Sequence, residues 1–422
     1  MFRVFRGSVA GCMPGLHRGA GGRNRAACRC NVRTAIDRGL VLGHTQKVSS
    51  GARSIEGQST GGRDATIASA AAALREGRLV VVPTETVYGV AANAASDAAL
   101  AALAALTGPG TSEGEPLTWH APSVEAVERV VALESALHRR VLRRLAPGPV
   151  QFFVEMAEDR LARSLEELGV RAGVIDSGRE LSVRVPNQPV ARRVLDEAGV
   201  PVVMKRAATA GWSPDRDAGA ALRDGRALKA GVAVVIEDAP GLGRPSTLVR
   251  LRRDGSYAVE REGALEARYV HRVVPRTILF VCTGNTCRSP MAEAIARSLT
   301  ENAGPGSVPT RVVSAGVSAA PGRPASAEVG VALRELGIEP LRHRSRELTR
   351  EIIRDAEAIF AMGAVHRDAV LSLDPGADGR TVLLDPTGSE VPDPIGLPQA
   401  VYNTTAARML GMVRRRLEEL DA

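Results

Sequence analysis

The residues best placed to do chemistry lie in one short stretch and one distant turn. Cys282 ends the apolar run "TILFV", five residues separate it from Arg288, and Ser289 and Pro290 follow. Backbone N–H groups of a short loop running into a helix converge on one point, and with the helix N-terminus they cradle an anion. Arg288 adds a planar fork suited to a phosphoryl group. A sulfur in that positive field is favoured as the thiolate, its nucleophilic form. Thiolate and phosphate cradle together mean attack on phosphorus. The reaction also needs an acid to protonate the leaving atom. Asp393, held between Pro392 and Pro394, supplies one, and no metal is required. Two merely structural cysteines would leave Arg288 and the Asp393-Pro394 turn unexplained.

These groups work only if the fold brings them to one edge. "TILFV" reads as a buried strand, and Gly284 as the residue that lets the chain turn tightly after it. In "SPMAEAIARSLTEN" the residues Met291, Ala294, Ile295 and Leu299 share one helical face, with Pro290 in the first turn. "RVVSAG", "AIFAM" and "TVLL" have strand length, and "AARMLGMVRRRLEEL" is an amphipathic helix. Short strands alternating with helices predict a doubly wound parallel sheet. Ligands bind such sheets beyond the carboxyl ends of their strands, where Cys282 stands.

The preceding residues predict another α/β domain, over 63–268. "TIASAAAALREG" is a helix stopped by Gly77, and "RLVVVPTETVYGVAANA" a buried strand broken by Pro83. "LSVRVP", "PVVM", "GVAVVIED", "STLVRL" and "YAVERE" continue the strand texture, and 266–276 is the join. Aromatic residues are only 3% of the chain, so both cores must be aliphatic.

Residues 1–62 are Gly-, Arg- and Ser-rich without a period, and read as a disordered basic leader, an over-long start or an organelle-type presequence. They carry ten basic residues against two acids, which equals the whole net charge of +8. The folded remainder is neutral, so global charge does not single out nucleic acid as a partner. Cys28 and Cys30 with His17 and His44 match no zinc spacing. Five cysteines so unevenly placed argue against a secreted disulfide scaffold and for a reducing, cytoplasmic setting. No apolar run reaches membrane-spanning length.

Cys282, Arg288-Ser289-Pro290 and the distant Asp393-Pro394 resemble the low-molecular-weight protein tyrosine phosphatase family, over 277–422. "SAG" and "HRS" fall in the expected order. The resemblance implies a protein phosphatase without cofactor, acting on phosphorylated proteins. Cys282 would form a phosphocysteine, and Arg288 and the loop amides would hold the phosphoryl oxygens. Asp393 would protonate the leaving atom and then activate water. Thr283, Gly284, Asn285, Thr286, Cys287 and Ser289 would complete the loop, with Ser289 bonded to the sulfur and Asn285 bracing the turn. Cys287 is placed either to form a reversible disulfide with Cys282 or to fill the core. A related activity, thiol-linked arsenate reduction, needs further cysteines, and none follows Cys287. Thr286 resembles the arginine-phosphatase branch; members acting on phosphotyrosine usually carry a bulky aliphatic residue there. The segment "VSAAPGRPAS" also lacks the aromatic walls that a phenyl ring would want.

The first domain resembles the threonylcarbamoyl-AMP synthase family, through "REGRLVVVPTETVYGVAANA", "PLTWH", "APGPV", "SVRVPNQPVARRVL", "GRPSTLVRL" and "EREGAL". The resemblance implies ATP and threonine as ligands, double-stranded RNA or tRNA as a partner, and Thr84, Thr86, Tyr88, Arg184, Ser246, Thr247 and Arg261 as ligand-binding residues. It departs at two places. The family's Lys-x-Arg pair is replaced by "LTGPGTSEGEP", and its Ser-x-Asn by Arg206 and Ala208. A triphosphate without its cations is poorly held. The expectation is therefore a retained fold serving as a binding module. The alternative is a bifunctional or tRNA-modification protein that makes threonylcarbamoyl-AMP.

Overall fold

The computed structural model describes residues 53–55, 60–108, 115–133, 135–211, 227, 229–238 and 241–421. Of the predicted leader, 1–52 and 56–59 lie outside these. Its end is corrected, because Arg53–Ile55 is a strand and the helix Thr60–Arg75 starts before residue 63. Ile67, Ala70, Ala71 and Leu74 give that helix a buried stripe, and packing this stripe on the sheet is what orders the segment.

The first sheet holds β1 (Arg53–Ile55), β2 (Leu79–Val82), β3 (Gly89–Asn93), β4 (Trp119–His120), β5 (Val150–Glu155), β6 (Glu180–Arg184), β7 (Val202–Arg206), β8 (Val232–Ile236), β9 (Thr247–Leu251) and β10 (Tyr257–Arg261). Their order is β1-β8-β2-β3-β7-β4-β6-β5-β9-β10. It contains both parallel and antiparallel pairs, so this sheet is mixed. Leu79 and Val81 enter one core, and Val80 and Val82 the other, which is why the "LVVV" run has no polar alternation.

The second sheet is wholly parallel. It comprises β11 (Arg276–Cys282), β12 (Thr310–Gly316), β13 (Ala358–Ala361) and β14 (Thr381–Leu383), in the order β12-β11-β13-β14. Ile278, Phe280 and Cys282 face a core shared with the helices Arg288–Glu301, Ala327–Glu335 and Gln399–Asp421. Leu279 and Val281 face the opposite core, with Ile353 and Val370 from the helices Arg350–Asp355 and Ala364–Leu373. Cover on both faces is the predicted doubly wound arrangement. It leaves the carboxyl edge of β11 as the place where a loop can meet solvent.

The two α/β regions are joined through the helix Ala136–Leu145. Arg140 donates to the carbonyls of Val274 and Pro275 and forks onto Glu357. Arg139 reaches the Asp421 carbonyl at 2.8 Å, and Arg276 bonds the Asp421 carboxylate at 2.6 Å. Both ends of the second domain are thus fastened where it meets the first.

Candidate active site

β11 delivers Cys282 to the sheet edge with its side chain almost wholly buried. The Asn285 backbone N–H donates to the sulfur at 3.3 Å, and the Ser289 hydroxyl lies 2.9 Å from it. Ser289 Oγ already accepts from Asn285 Nδ2 at 2.9 Å, which leaves its own proton for the sulfur.

The turn is made by Asn285, not by Gly284. Asn285 has φ 52°, the one positive φ outside glycine among the described residues. A Cβ on Gly284 would meet only Thr286 Oγ1, at an ordinary 3.5 Å. Asparagine tolerates the left-handed region because its short side chain bonds locally. Here that side chain uses both ends. Nδ2 also donates to Ser314 Oγ at 2.8 Å, and Oδ1 accepts from the Arg346 backbone at 2.9 Å. Ser314 in turn donates to buried Glu293 at 2.6 Å. His343 Nε2 donates to the Asn285 carbonyl at 2.7 Å. Burial lowers the His343 pKa, outweighing the bond to the Asn285 carbonyl and the Glu293 charge, and keeps the ring neutral.

Gly316, at the end of β12, is needed for close approach. A Cβ there would lie 2.5 Å from the Thr283 carbonyl and 2.8 Å from the Asn285 nitrogen. The "SAG" segment is therefore a wall of the loop: serine bonds it, and glycine makes room for it.

Arg288 opens the helix that follows the loop. Its guanidinium donates to the Val391 carbonyl at 3.1 Å, to Thr283 Oγ1 at 3.3 Å and to Asp393 Oδ2 at 2.5 Å. The arginine side chain is 9% exposed and the aspartate 38%, so solvent reaches only the acid end of the pair. Asp393 Oδ1 accepts from the Ile395 backbone at 3.3 Å. Cysteine, arginine and acid, spread over more than a hundred residues of sequence, thus meet in one place. Thr283 Oγ1 also bonds His366 Nε2 at 2.9 Å. Burial first, and then the Arg288 charge, lower the His366 pKa and keep that ring neutral.

Cys287 and Cys282 are both free thiols. Cys287 Sγ lies 3.1 Å from Ser326 Oγ and 3.6 Å from the Tyr402 hydroxyl, in the same core as Cys282. Burial, then the contact with Cys287, pushes the Tyr402 pKa up to about 12. Thr286 is half-buried, and its hydroxyl lies 3.7 Å from the Cys287 sulfur. Sequence reasoning assigned no role to Ser314, Glu293, His343, His366 or Val391. The "SAG" and "HRS" segments pointed toward two of them, Ser314 and His343, by position alone.

In the first domain Thr84, Thr86, Tyr88, Arg184, Ser246 and Arg261 line one cavity of about 110 Å³. Thr247 does not line it. Its hydroxyl donates to the Leu265 carbonyl and accepts from Gly263 and Leu265, so it ties the turn beside the cavity. Arg184 bonds Ser246 at 2.7 Å, Glu85 at 2.7 Å and Thr86 at 3.0 Å. His120, also lining, has its pKa lowered to about 3 by burial and then by Arg184, so the ring is neutral. Lys205 and Arg206 enter from the end of β7; Lys205 donates to the Gly108 carbonyl at 2.8 Å. Residues 109–114, within the expected site of the missing cationic pair, lie outside the described residues. No described helix is long and apolar enough to cross a membrane.

Comparison with known proteins divides at the same join. Residues 277–422 match the family model described as low molecular weight phosphotyrosine protein phosphatase, and 72–263 the model described as telomere recombination. The protein-arginine-phosphatase of Geobacillus stearothermophilus is 40% identical over 152 residues, which are 35% of this chain and 98% of that protein. The low molecular weight protein-tyrosine-phosphatase Etp of Escherichia coli strain K12 is 33% identical over 145 residues, 34% of this chain and 90% of its own length. The threonylcarbamoyl-AMP synthase of Bacillus subtilis strain 168 is 28% identical over 192 residues, 45% of this chain but only 51% of that synthase.

Proposed function

We propose that this chain, which belongs through residues 277–422 to the low-molecular-weight phosphotyrosine protein phosphatase family, is a protein phosphatase that hydrolyses phosphoarginine. The observation carrying this reading is Thr286 in the loop between Cys282 and Arg288. Within the loop its hydroxyl meets the Cys287 sulfur, a weak partner at 3.7 Å. A hydroxyl there can orient water or a polar guanidinium, where a branched aliphatic side chain would only pack a ring. The lips of the site agree. Ile395 and Leu397, beside Asp393, are exposed and aliphatic, and the 317–326 segment has no aromatic residue.

In the proposed mechanism the phosphoryl group enters the loop and takes the Arg288 fork, which releases Asp393 from its ion pair to take up a proton from solvent. The Cys282 sulfur attacks phosphorus. The S–P bond forms as the P–N bond breaks, and Asp393 gives its proton to the departing guanidine nitrogen. Asp393, now a carboxylate, takes a proton from water as the water oxygen attacks phosphorus. The S–P bond breaks, orthophosphate leaves and the thiolate returns. Arg288 and the loop N–H groups hold the charge on the oxygens in both steps.

Thr286→Ile tests the substrate. It should shift the ratio of catalytic efficiencies, phosphoarginine peptide over phosphotyrosine peptide, by roughly tenfold toward phosphotyrosine. Steady-state rates on the two peptides check this. A wild-type preference for phosphotyrosine, or an unmoved ratio, removes the arginine assignment and leaves a tyrosine phosphatase.

The first domain, by this reading, keeps a pocket for a small polar ligand or RNA without the synthase reaction. Its domain limits are 63–268 by sequence, extended to the helix start at Thr60. With threonine, bicarbonate and ATP the full chain should make little or no threonylcarbamoyl-AMP. Threonine-dependent pyrophosphate release at a steady rate would make the protein bifunctional instead. The free-thiol chemistry fits a reducing, cytoplasmic location.

A further inference from the structure

A groove of about 500 Å³ runs beside the phosphate loop, between the helix Ala327–Glu335 and the segment 340–344. Its floor is apolar: Pro290, Val329, Leu333 and Leu341. Its rim is cationic, with Arg334, Arg342 and Arg344 all exposed, and no carboxylate lines it. Arg344 donates to the Gly322 carbonyl at 3.1 Å. None of the three has an ion-pair partner among the described residues.

The groove is continuous with the catalytic loop. Pro290 stands two residues after Arg288. The Ser326 N–H, at the groove's end, donates to the Thr286 carbonyl at 3.0 Å. His343, in the groove wall, holds the Asn285 carbonyl. Gly330 lines the groove: a Cβ there would make ordinary contacts, 3.6 Å from the Arg334 guanidinium and 3.8 Å from Pro340. A larger side chain would fill the space between them.

We infer that this groove docks an acidic segment of the substrate protein, a few residues from the phosphorylated one. Apolar side chains of the segment would cover Leu333 and Leu341, and its carboxylates would meet the three arginines. The inference rests on the reading of the chain as a protein phosphatase. Charge complementarity selects the occupant, since unpaired cations around an apolar floor favour an anionic partner and raise its encounter rate. Such contacts are solvent-exposed and weaken with salt.

The test uses the full chain and a fluorescent peptide rich in Asp, Glu and Leu, beside a peptide of equal length with Gln and Asn for the acids. Anisotropy should show the acidic peptide binding about tenfold more tightly at low salt. The difference should vanish in 0.5 M salt (roughly a 4–5 Å screening length) and in Arg342→Ala/Arg344→Ala. The same peptides carrying phosphoarginine or phosphotyrosine should differ by a similar factor in KM, with kcat unmoved. Hydrolysis of a small aryl phosphate should be the same in wild type and variant, which shows that the variant is folded and its loop intact. Gly330→Leu, which fills the groove without removing charge, should also lower binding. Equal binding of both peptides, or a preference that survives the double substitution, overturns the inference. Displacement of the peptide by an RNA oligonucleotide at equal concentration assigns the groove to nucleic acid and overturns it too. Acidic-peptide binding with no hydrolysis of either phosphorylated form overturns the substrate role and, separately, the phosphatase reading.

Discussion

Cys282→Ser is expected to lower phosphatase turnover by roughly 10⁴–10⁶-fold without unfolding the chain. The sulfur is buried at the end of β11 and takes hydrogen bonds from Asn285 N–H and Ser289. A serine hydroxyl fits the same space and can keep both partners, so the loop should stand. Its proton is held too tightly at neutral pH for the oxygen to attack phosphorus at a useful rate, and no base adjoins it. Initial rates on an aryl phosphate, with thermal unfolding as control, check the expectation. A variant that turns over at the native rate would sink the cysteine mechanism.

Arg288→Lys should lower kcat/KM by roughly 10³–10⁵-fold, the range found when an arginine that neutralises a transferring phosphoryl group is lost. Lysine keeps the charge, so the loss isolates the geometry of the fork. Arg288 also bonds the Val391 carbonyl and Asp393, and so aligns the acid-bearing turn with the loop. Lysine cannot reach both with fixed angles. The expected signature is a larger loss on a poor leaving group than on a good one, because the acid is misaligned as well as the phosphate. Equal losses on both would confine Arg288 to charge stabilisation. A loss under tenfold would place that stabilisation elsewhere.

The residues proposed as nucleophile, fork and acid could be singled out because each sits in a local pattern: a strand end, a helix start, a proline-braced turn. The four strands of the second sheet were legible because their apolar runs are short and bounded. What escaped depends on distance in sequence. Asn285 could be placed in the loop, but its left-handed φ and the chain through Ser314 to Glu293 follow from β12 lying against β11. Glycine is the usual reason for a tight turn, so Gly284 drew the assignment that belongs to Asn285. Thr247 was named with Ser246 through the resemblance, but its hydroxyl is taken up by the Gly263–Leu265 turn, a contact between segments distant in sequence. The strand Arg53–Ile55 was invisible because three residues carry no period, and its pairing with β8 decides its state.

Gly316 has a consequence for the thermodynamics of substrate capture. The loop that receives the phosphoryl group is pressed against β12 at a glycine where no side chain could stand. Its shape is therefore moulded by the sheet, and it does not wait for an anion to be completed. A receptor already in its bound shape loses little conformational entropy on binding. Orthophosphate, the reaction product, should meet the same ready-made cradle as the substrate's phosphoryl group. The tighter a preformed cradle grips that shared feature, the more the enzyme is held back by its own product.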